Sequence, residues 1–197
     1  ERRSYADRSH FLGDPDFVSI PGDHLISDAY LEDRMSNFTF EKATNSKDIS
    51  FGKVAIIESD ETTHFSIVDK DGNAVSSTYT LNSTFGSGVV IKDTGILMNN
   101  EMDDFAAAPG IPNQFGLLGA EANQIVPGKR PLSSMTPTIV MKDGDFFFTT
   151  GSPGGSRIIT AVLQSIINIV DYGMNLEEAN AAKRIHHQWQ PDLLQIE

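Results

Sequence analysis

The chain has 197 residues, enough for one domain with a full core and too few for two ordinary ones. Apolar residues make up 39% and charged residues 21%, the balance of a globular rather than a disordered chain, and the lack of cysteine excludes disulfides, thiol nucleophiles and cysteine metal sites. A net charge of −12 argues against a surface that grips phosphate backbones, so nucleic-acid binding is set aside.

Residues 1–25 are rich in Asp, Gly, Pro and Ser, and they read as a surface connector anchored by Tyr5, Phe11 and Phe17. Residues 26–36 suit a short helix. Residues 37–61 are polar apart from 54–57, and Ile57-Glu58-Ser59-Asp60-Glu61 reads as exposed and cuttable. From Thr62 the texture changes to alternating runs, 62–69 and 74–81, joined through Lys70-Asp71-Gly72-Asn73 as a β-hairpin with an Asp-Gly turn. Gly86-Ser87-Gly88 and Asp93-Thr94-Gly95 break the chain around an expected strand over 95–100. Residues 109–120 are loop-like yet partly apolar, which suits a lid or an ordinary surface loop. Residues 136–141 and 146–150 flank Lys142-Asp143-Gly144-Asp145 as a second hairpin.

The loop Gly151-Ser152-Pro153-Gly154-Gly155-Ser156-Arg157 then opens into a helix. There Ile158, Ile159, Val162, Leu163, Ile166, Ile167 and Val170 recur at helical spacing and predict a broad buried face. Asn175 with Glu178 resembles a capping box for a second helix over 176–183. Hairpins followed by a buried helix indicate an α+β fold with a sheet layer covered by helices.

Thr62 taken alone is a β-favouring residue that opens a strand. If the chain is cut before it, one residue carries both a hydroxyl nucleophile and a free α-amine as its base. The glycine loop 151–156 lies between a strand and a helix N-terminus. Its unshielded N–H groups suit a developing oxyanion, although the loop taken alone reads more simply as a plain strand-to-helix turn capped by Ser156. Glu101-Met102-Asp103-Asp104 places carboxylates at a strand end, where they grip an ammonium group or form a solvated turn. Ser133-Ser134, between prolines, offers two hydroxyls to a carboxylate or simply forms a loop. His186-His187 is too sparse for a metal centre, and Gly86-Ser87-Gly88 lacks the third glycine of a dinucleotide fingerprint, so no metal or cofactor is expected. The sequons at Asn37 and Asn82 are discounted. The opening Glu1-Arg2-Arg3-Ser4 has neither a methionine nor a signal h-region, so the chain reads as a processed product or a fragment.

In order and spacing, several stretches together resemble the γ-glutamyltransferase (γ-glutamyltranspeptidase) family of N-terminal-nucleophile hydrolases. They are Thr62-Thr63-His64-Phe65-Ser66, Asp69-Lys70-Asp71-Gly72-Asn73-Ala74-Val75, Thr80-Leu81-Asn82, Asn99-Asn100-Glu101-Met102-Asp103-Asp104-Phe105, Lys129-Arg130-Pro131-Leu132-Ser133-Ser134-Met135 and Gly151-Ser152-Pro153-Gly154-Gly155-Ser156-Arg157. The resemblance implies a four-layer αββα sandwich, made as a precursor that cuts itself between Glu61 and Thr62. Residues 1–61 would be the large-subunit tail and residues 62–197 the start of the small subunit.

By the same resemblance, Thr62 attacks the γ-amide of glutathione or another γ-glutamyl compound, and Thr80 orients it. Gly154 and Gly155 form the oxyanion hole. Asn82, Glu101 and Asp104 hold the substrate α-amino group, and Ser133 and Ser134 hold its α-carboxylate. Water, an amino acid or a dipeptide resolves the γ-glutamyl-enzyme, and residues 109–120 match a lid found in some members.

The family's carboxylate-binding arginine lies upstream of this chain, and its small subunit continues past Glu197. A piece inactive on its own is therefore expected, with the remainder of the large subunit as partner and a periplasmic or secreted location. The alternatives are a cephalosporin-type acylase or poly-γ-glutamate-cleaving enzyme of the same fold, or a noncatalytic domain that is never cut.

Overall fold

The computed structural model describes residues 1–49 and 62–197. Glu61, the apolar stretch 54–57 and the polar run ahead of the expected cut lie outside the described residues. The described residues form two compact units, one from 1–49, Met102–Leu132 and His187–Leu193, the other from 62–101, Ser133–His186 and Leu194–Glu197.

The first unit opens with a helix, α1 (Arg2–Phe11), where composition predicts an irregular connector. Its buried face is Tyr5, Ala6 and Ser9, one aromatic and two small side chains, which leaves no apolar period to read. Polar contacts fasten it instead: Arg2 Nη1 donates to the Thr44 carbonyl at 2.6 Å, and Asp7 pairs with Arg34 at 2.8 Å. Of the expected anchors Tyr5 is buried, whereas Phe17 is exposed.

The helix expected over 26–36 forms as α3 (Asp28–Met35), and a separate turn of helix, α2 (Gly22–Leu25), precedes it in the stretch read as a connector. Ser27 sets the boundary between them. Its hydroxyl accepts from the Tyr30 N–H, which makes it an N-cap and starts a new helix behind it.

The core of this unit gathers Tyr5, Ile49, Phe105, Phe115, Leu117, Leu118 and Trp189. Trp189 is 1% exposed, and its indole N–H donates to the Ser46 carbonyl at 3.2 Å. Segment 109–120 is therefore an anchored loop. Phe115, Leu117 and Leu118 point into the core, and Asn113 Oδ1 accepts from the N–H groups of Phe115 and Leu117. Asp14 is buried and accepts three bonds from Arg130: the backbone N–H at 2.9 Å, Nε at 3.0 Å and Nη2 at 2.5 Å. These bonds and the adjacent guanidinium hold its carboxyl well below the usual carboxylate range.

The second unit is mixed α and β. Strand β1 (Thr62–Val68) pairs antiparallel with β2 (Ala74–Thr80), in a register that sets Thr62 opposite Thr80 and His64 opposite Thr78. Asp69 organises the turn, accepting from the N–H groups of Asp71 and Asn73 at 2.9 Å and from the Asn73 amide at 2.7 Å. One face of this hairpin carries Phe65, Ile67, Val75 and Tyr79, all more than 40% exposed, while the Thr62–His64–Thr78–Thr80 face is the more covered.

The strand expected over 95–100 is reduced to a bridge, Val90 with Leu97, flanked by Ile91 N–H to the Ile96 carbonyl and Met98 N–H to the Val89 carbonyl at 2.8 Å each. Left-handed Asp93 and Gly95 at its turn, and left-handed Gly86 and Gly88 before it, leave too few extended residues for a full strand.

Strands β3 (Thr138–Lys142) and β4 (Asp145–Thr150) form the second hairpin. Asp143 and Gly144 both have positive φ, the requirement of a two-residue turn that matches strand twist. The hairpins meet through hydroxyls: Ser76 Oγ donates to the Thr150 carbonyl at 3.2 Å, and Ser66 bonds Thr149 at 3.3 Å.

Helix α4 (Ile158–Val170) forms as its spacing predicts. Its stripe is only partly covered: Ile158 and Val162 are buried, and Leu163 and Val170 are exposed. Helix α5 (Leu176–Ala181) begins at a complete capping box, with Asn175 and Glu178 exchanging side-chain-to-backbone bonds of 2.9 Å. Short β5 (Ile185–His186) and β6 (Gln195–Ile196) pair beyond it.

Two outcomes follow for the full-length polypeptide that carries this sequence. Asp14→Asn lowers the thermal midpoint at neutral pH. Because the Asp14 carboxyl is depressed in the fold, the wild-type advantage is complete above about pH 5 and shrinks as the pH falls below about 4, read by thermal melts of both proteins across that range. Asn175→Ala removes one half of the capping box and costs about 1 kcal/mol in denaturant titration.

Candidate active site

Within the second unit the register places Thr62 at the head of β1 and Thr80 directly across from it at the end of β2. Directly opposed residues of an antiparallel pair share a face, so both hydroxyls lie on one side of the hairpin. Thr80 Oγ1 accepts from the Asn82 N–H at 2.8 Å, which leaves its own O–H to donate elsewhere.

Asn82 is buried in a left-handed conformation (φ 75°), and its amide donates to the Asn100 carbonyl at 3.2 Å. Asn100 returns the connection: its N–H reaches the Leu81 carbonyl at 3.1 Å, and its side-chain oxygen accepts from the Ser83 N–H at 3.0 Å. This clasp brings the end of β2 against the segment leading to Glu101, which is half-buried at the start of a 3₁₀ turn, Glu101–Asp104. Asp104 belongs to the first unit, where its carbonyl accepts from the Asn123 amide at 2.8 Å.

Ser133 is exposed and caps its own turn, with Oγ accepting from the Met135 N–H at 3.0 Å; Ser134 is half-buried beside it. Both lie in the second unit with Thr62, Thr80, Asn82, Glu101, Gly154 and Gly155.

The glycine loop leaves the end of β4. Gly154 (φ 126°) and Gly155 (φ 54°) both occupy backbone regions that a side chain disfavours. The turn Gly155–Arg157 then feeds α4, with the Arg157 N–H bonded to the Gly154 carbonyl at 3.0 Å. Two successive glycine N–H groups at a helix entry supply partial positive charge where an oxyanion can be met. A cleft of about 780 Å³ runs along this loop and α4, lined among others by Gly151, Gly154, Arg157, Thr160 and Arg184. Thr62, Thr80 and Asn82 are not in its lining, so cavity size alone does not point to the nucleophile.

In the sequence His64 belongs only to the threonine motif; in the structure it joins two strands and the glycine loop. Its Nδ1 lies 2.8 Å from Thr78 Oγ1 and its Nε2 3.0 Å from Ser66 Oγ, and its ring rests on the backbone of Gly151. Partial burial lowers its pKa below the usual histidine value, which favours the neutral ring.

His186 and His187 fall in different units. His186 bonds Thr160 Oγ1 at 2.7 Å, and His187 bonds Asp192 at 3.2 Å. Among the described residues no group of three His, Asp or Glu side chains is arranged to hold a metal ion.

Comparison with known proteins follows the same residues. A family model described as gamma-glutamyltranspeptidase matches residues 1–197. The chain is 57% identical over 197 residues to the glutathione hydrolase proenzyme of Escherichia coli, covering 100% of this chain and 34% of that protein. It is 51% identical to the Pseudomonas aeruginosa proenzyme of the same name, covering 97% and 34%. The chain thus spans about a third of the length of the curated relatives it matches. A crystal structure of Helicobacter pylori gamma-glutamyltranspeptidase superposes with a TM-score of 0.67 at 58% identity, over 68% of this chain and 72% of that one. A Pseudomonas nitroreducens gamma-glutamyltranspeptidase does so with a TM-score of 0.64 at 60% identity, over 66% of each. Threonine strand, asparagine clasp and glycine loop thus sit in a chain that belongs to the gamma-glutamyltranspeptidase family.

Proposed function

We propose that this chain is part of a self-processing γ-glutamyl hydrolase and transferase that acts on glutathione and related γ-glutamyl compounds. The observation that carries the reading is the pairing of Thr62 with Thr80 in the same compact unit as the Gly154–Gly155 turn. A hydroxyl at a strand head, a second hydroxyl to orient it and a pair of glycine N–H groups are the parts that acyl transfer needs.

Processing comes first. The Thr62 hydroxyl adds to the Glu61 carbonyl, the peptide C–N bond breaks, and the acyl group moves to oxygen. Water hydrolyses that ester and leaves Thr62 with a free α-amine. In catalysis this amine takes the hydroxyl proton as Oγ attacks the γ-carbonyl of the substrate. The oxyanion is held by Gly154 and Gly155, and the proton passes to the departing amine. A γ-glutamyl ester remains on Thr62. Water releases glutamate from it, or the amine of an amino acid or dipeptide takes up the γ-glutamyl group.

Asn82, Glu101 and Asp104 are assigned the substrate ammonium, and Ser133 and Ser134 its carboxylate. A carboxylate cluster with an amide acceptor suits the first, and paired hydroxyls suit the second. The two pieces left by the cut stay together with the rest of the large subunit, in the four-layer αββα arrangement of the N-terminal-nucleophile hydrolases. The high identity to proteins named glutathione hydrolase supports the substrate class.

Intact mass of the full-length polypeptide tests the processing step. The expected result is two fragments meeting at Glu61/Thr62, with a Thr62→Ala variant left whole and its γ-glutamyl turnover at background. An uncut wild type would count against the reading. For the substrate, a γ-glutamyl anilide is expected to turn over faster than the matching glutaryl amide, which lacks the α-ammonium. The opposite preference would point to an acylase on the same scaffold.

A further inference from the structure

His64 stands two residues from Thr62 on the same face of β1, with Thr78 opposite, and its ring contacts the first residue of the glycine loop. A Cβ placed on Gly151 would lie 2.1 Å from Nδ1, 2.2 Å from Cε1 and 2.6 Å from Cγ of that ring. Gly151 is not among the glycines with positive φ, so its backbone does not call for glycine. The missing side chain is explained by the space the imidazole occupies.

With the ring neutral, the hydrogen bonds around it have one consistent direction. Thr149 Oγ1 donates to the Thr138 carbonyl at 3.0 Å, so its contact with Ser66 at 3.3 Å must be donated by Ser66. With the Ser66 proton so used, Ser66 Oγ accepts from His64 Nε2–H at 3.0 Å. His64 Nδ1 is left as an acceptor for the Thr78 hydroxyl at 2.8 Å. The series begins on β2, passes through β1 and ends on the β3–β4 hairpin, whose last strand runs into the glycine loop.

We propose that His64 is a positioning residue, whose neutral ring, seated against Gly151 and bonded through Ser66 to Thr149, sets the spacing between the Thr62 strand and the Gly154–Gly155 turn. This rests on the acyl-transfer reading above. A nucleophile and an oxyanion site must be held to a fraction of an ångström, and a misplacement of about 1 Å costs about 100-fold in rate. Backbone hydrogen bonds fix each hairpin internally, whereas the imidazole bridges one hairpin to the loop that leaves the other.

The test is a double-substitution cycle in the full-length polypeptide. It reads the rate of self-cleavage, kcat and KM on a γ-glutamyl anilide, and the thermal midpoint. Gly151→Ala is expected to lower kcat about 10- to 100-fold with KM little changed, because the substrate head group is held elsewhere. In a His64→Ala background the same Gly151→Ala change is expected to have almost no effect, since the ring it collides with is gone. His64→Phe keeps a ring but not the bonds, and His64→Gln keeps a donor near Ser66 but not the ring; each is expected to retain more kcat than His64→Ala.

If Gly151→Ala alone does not fold, the double variant still should, and its failure to do so would overturn the space argument. Additive effects at the two positions, or losses that appear in KM rather than kcat, would also overturn the proposal. These would leave the acyl-transfer reading intact so long as the wild type cuts itself and Thr62→Ala does not. A wild type with neither self-cleavage nor γ-glutamyl turnover would remove both.

Discussion

The antiparallel register between β1 and β2 is the constraint on which the candidate site depends. Side chains alternate faces along a strand, so a slip of one residue would send Thr62, His64, Thr78 and Thr80 to the opposite face together. Asp69 guards against such a slip. Its three bonds across the turn fix the loop length, and the loop length fixes which residues face each other. The Asn82–Asn100 clasp carries the same register onward to the Glu101 segment. Turn chemistry some distance from the threonines thus decides whether they meet.

The first unit is held by a different balance of forces. Trp189, Tyr5 and the loop residues Phe115, Leu117 and Leu118 supply the apolar interior. Ionic groups supply the direction. Buried Asp14 receives Arg130, while the exposed Asp192 receives the Ser46 hydroxyl at 2.5 Å and pairs with Arg2 at 3.7 Å. A buried carboxylate with only one bond would be costly, and Asp14 accepts three from Arg130. These contacts join residues 1–49 to segments beyond position 100, so the links do not depend on the chain being continuous at Glu61.

Much of the second unit was legible in the sequence, because its elements rest on local chemistry. The Asp143-Gly144 turn, the Asn175/Glu178 capping box and the apolar spacing of α4 each carry a short-range physical signature. Helix α1 carried none: its buried face is made of Tyr5, Ala6 and Ser9, and long-range arginine contacts fasten it. Segment 109–120 read as a loop, and it is one, but its anchoring by Phe115 and Leu118 depends on a core built from distant stretches. Thr62, Thr80 and the glycine pair could be singled out through their order and spacing along the chain. The contact of His64 with Gly151 joins residues 87 positions apart, and nothing local to either announces it.

The β1–β2 hairpin reverses the customary meaning of its alternation. Its apolar side, with Phe65, Ile67, Val75 and Tyr79, is the open one, and its hydroxyl-bearing side is the one pressed against the rest of its unit. A seam of threonines, serines and one imidazole has different substitution rules from an oily core. An oily core tolerates exchanges that conserve volume, because dispersion has no direction. A hydroxyl seam tolerates small changes of volume but not the loss of a donor or acceptor, because each proton in the series is already committed to one neighbour. Valine in place of threonine, close to neutral by shape, is therefore among the more disruptive exchanges along this face, whereas serine, smaller but still wired, is among the milder ones.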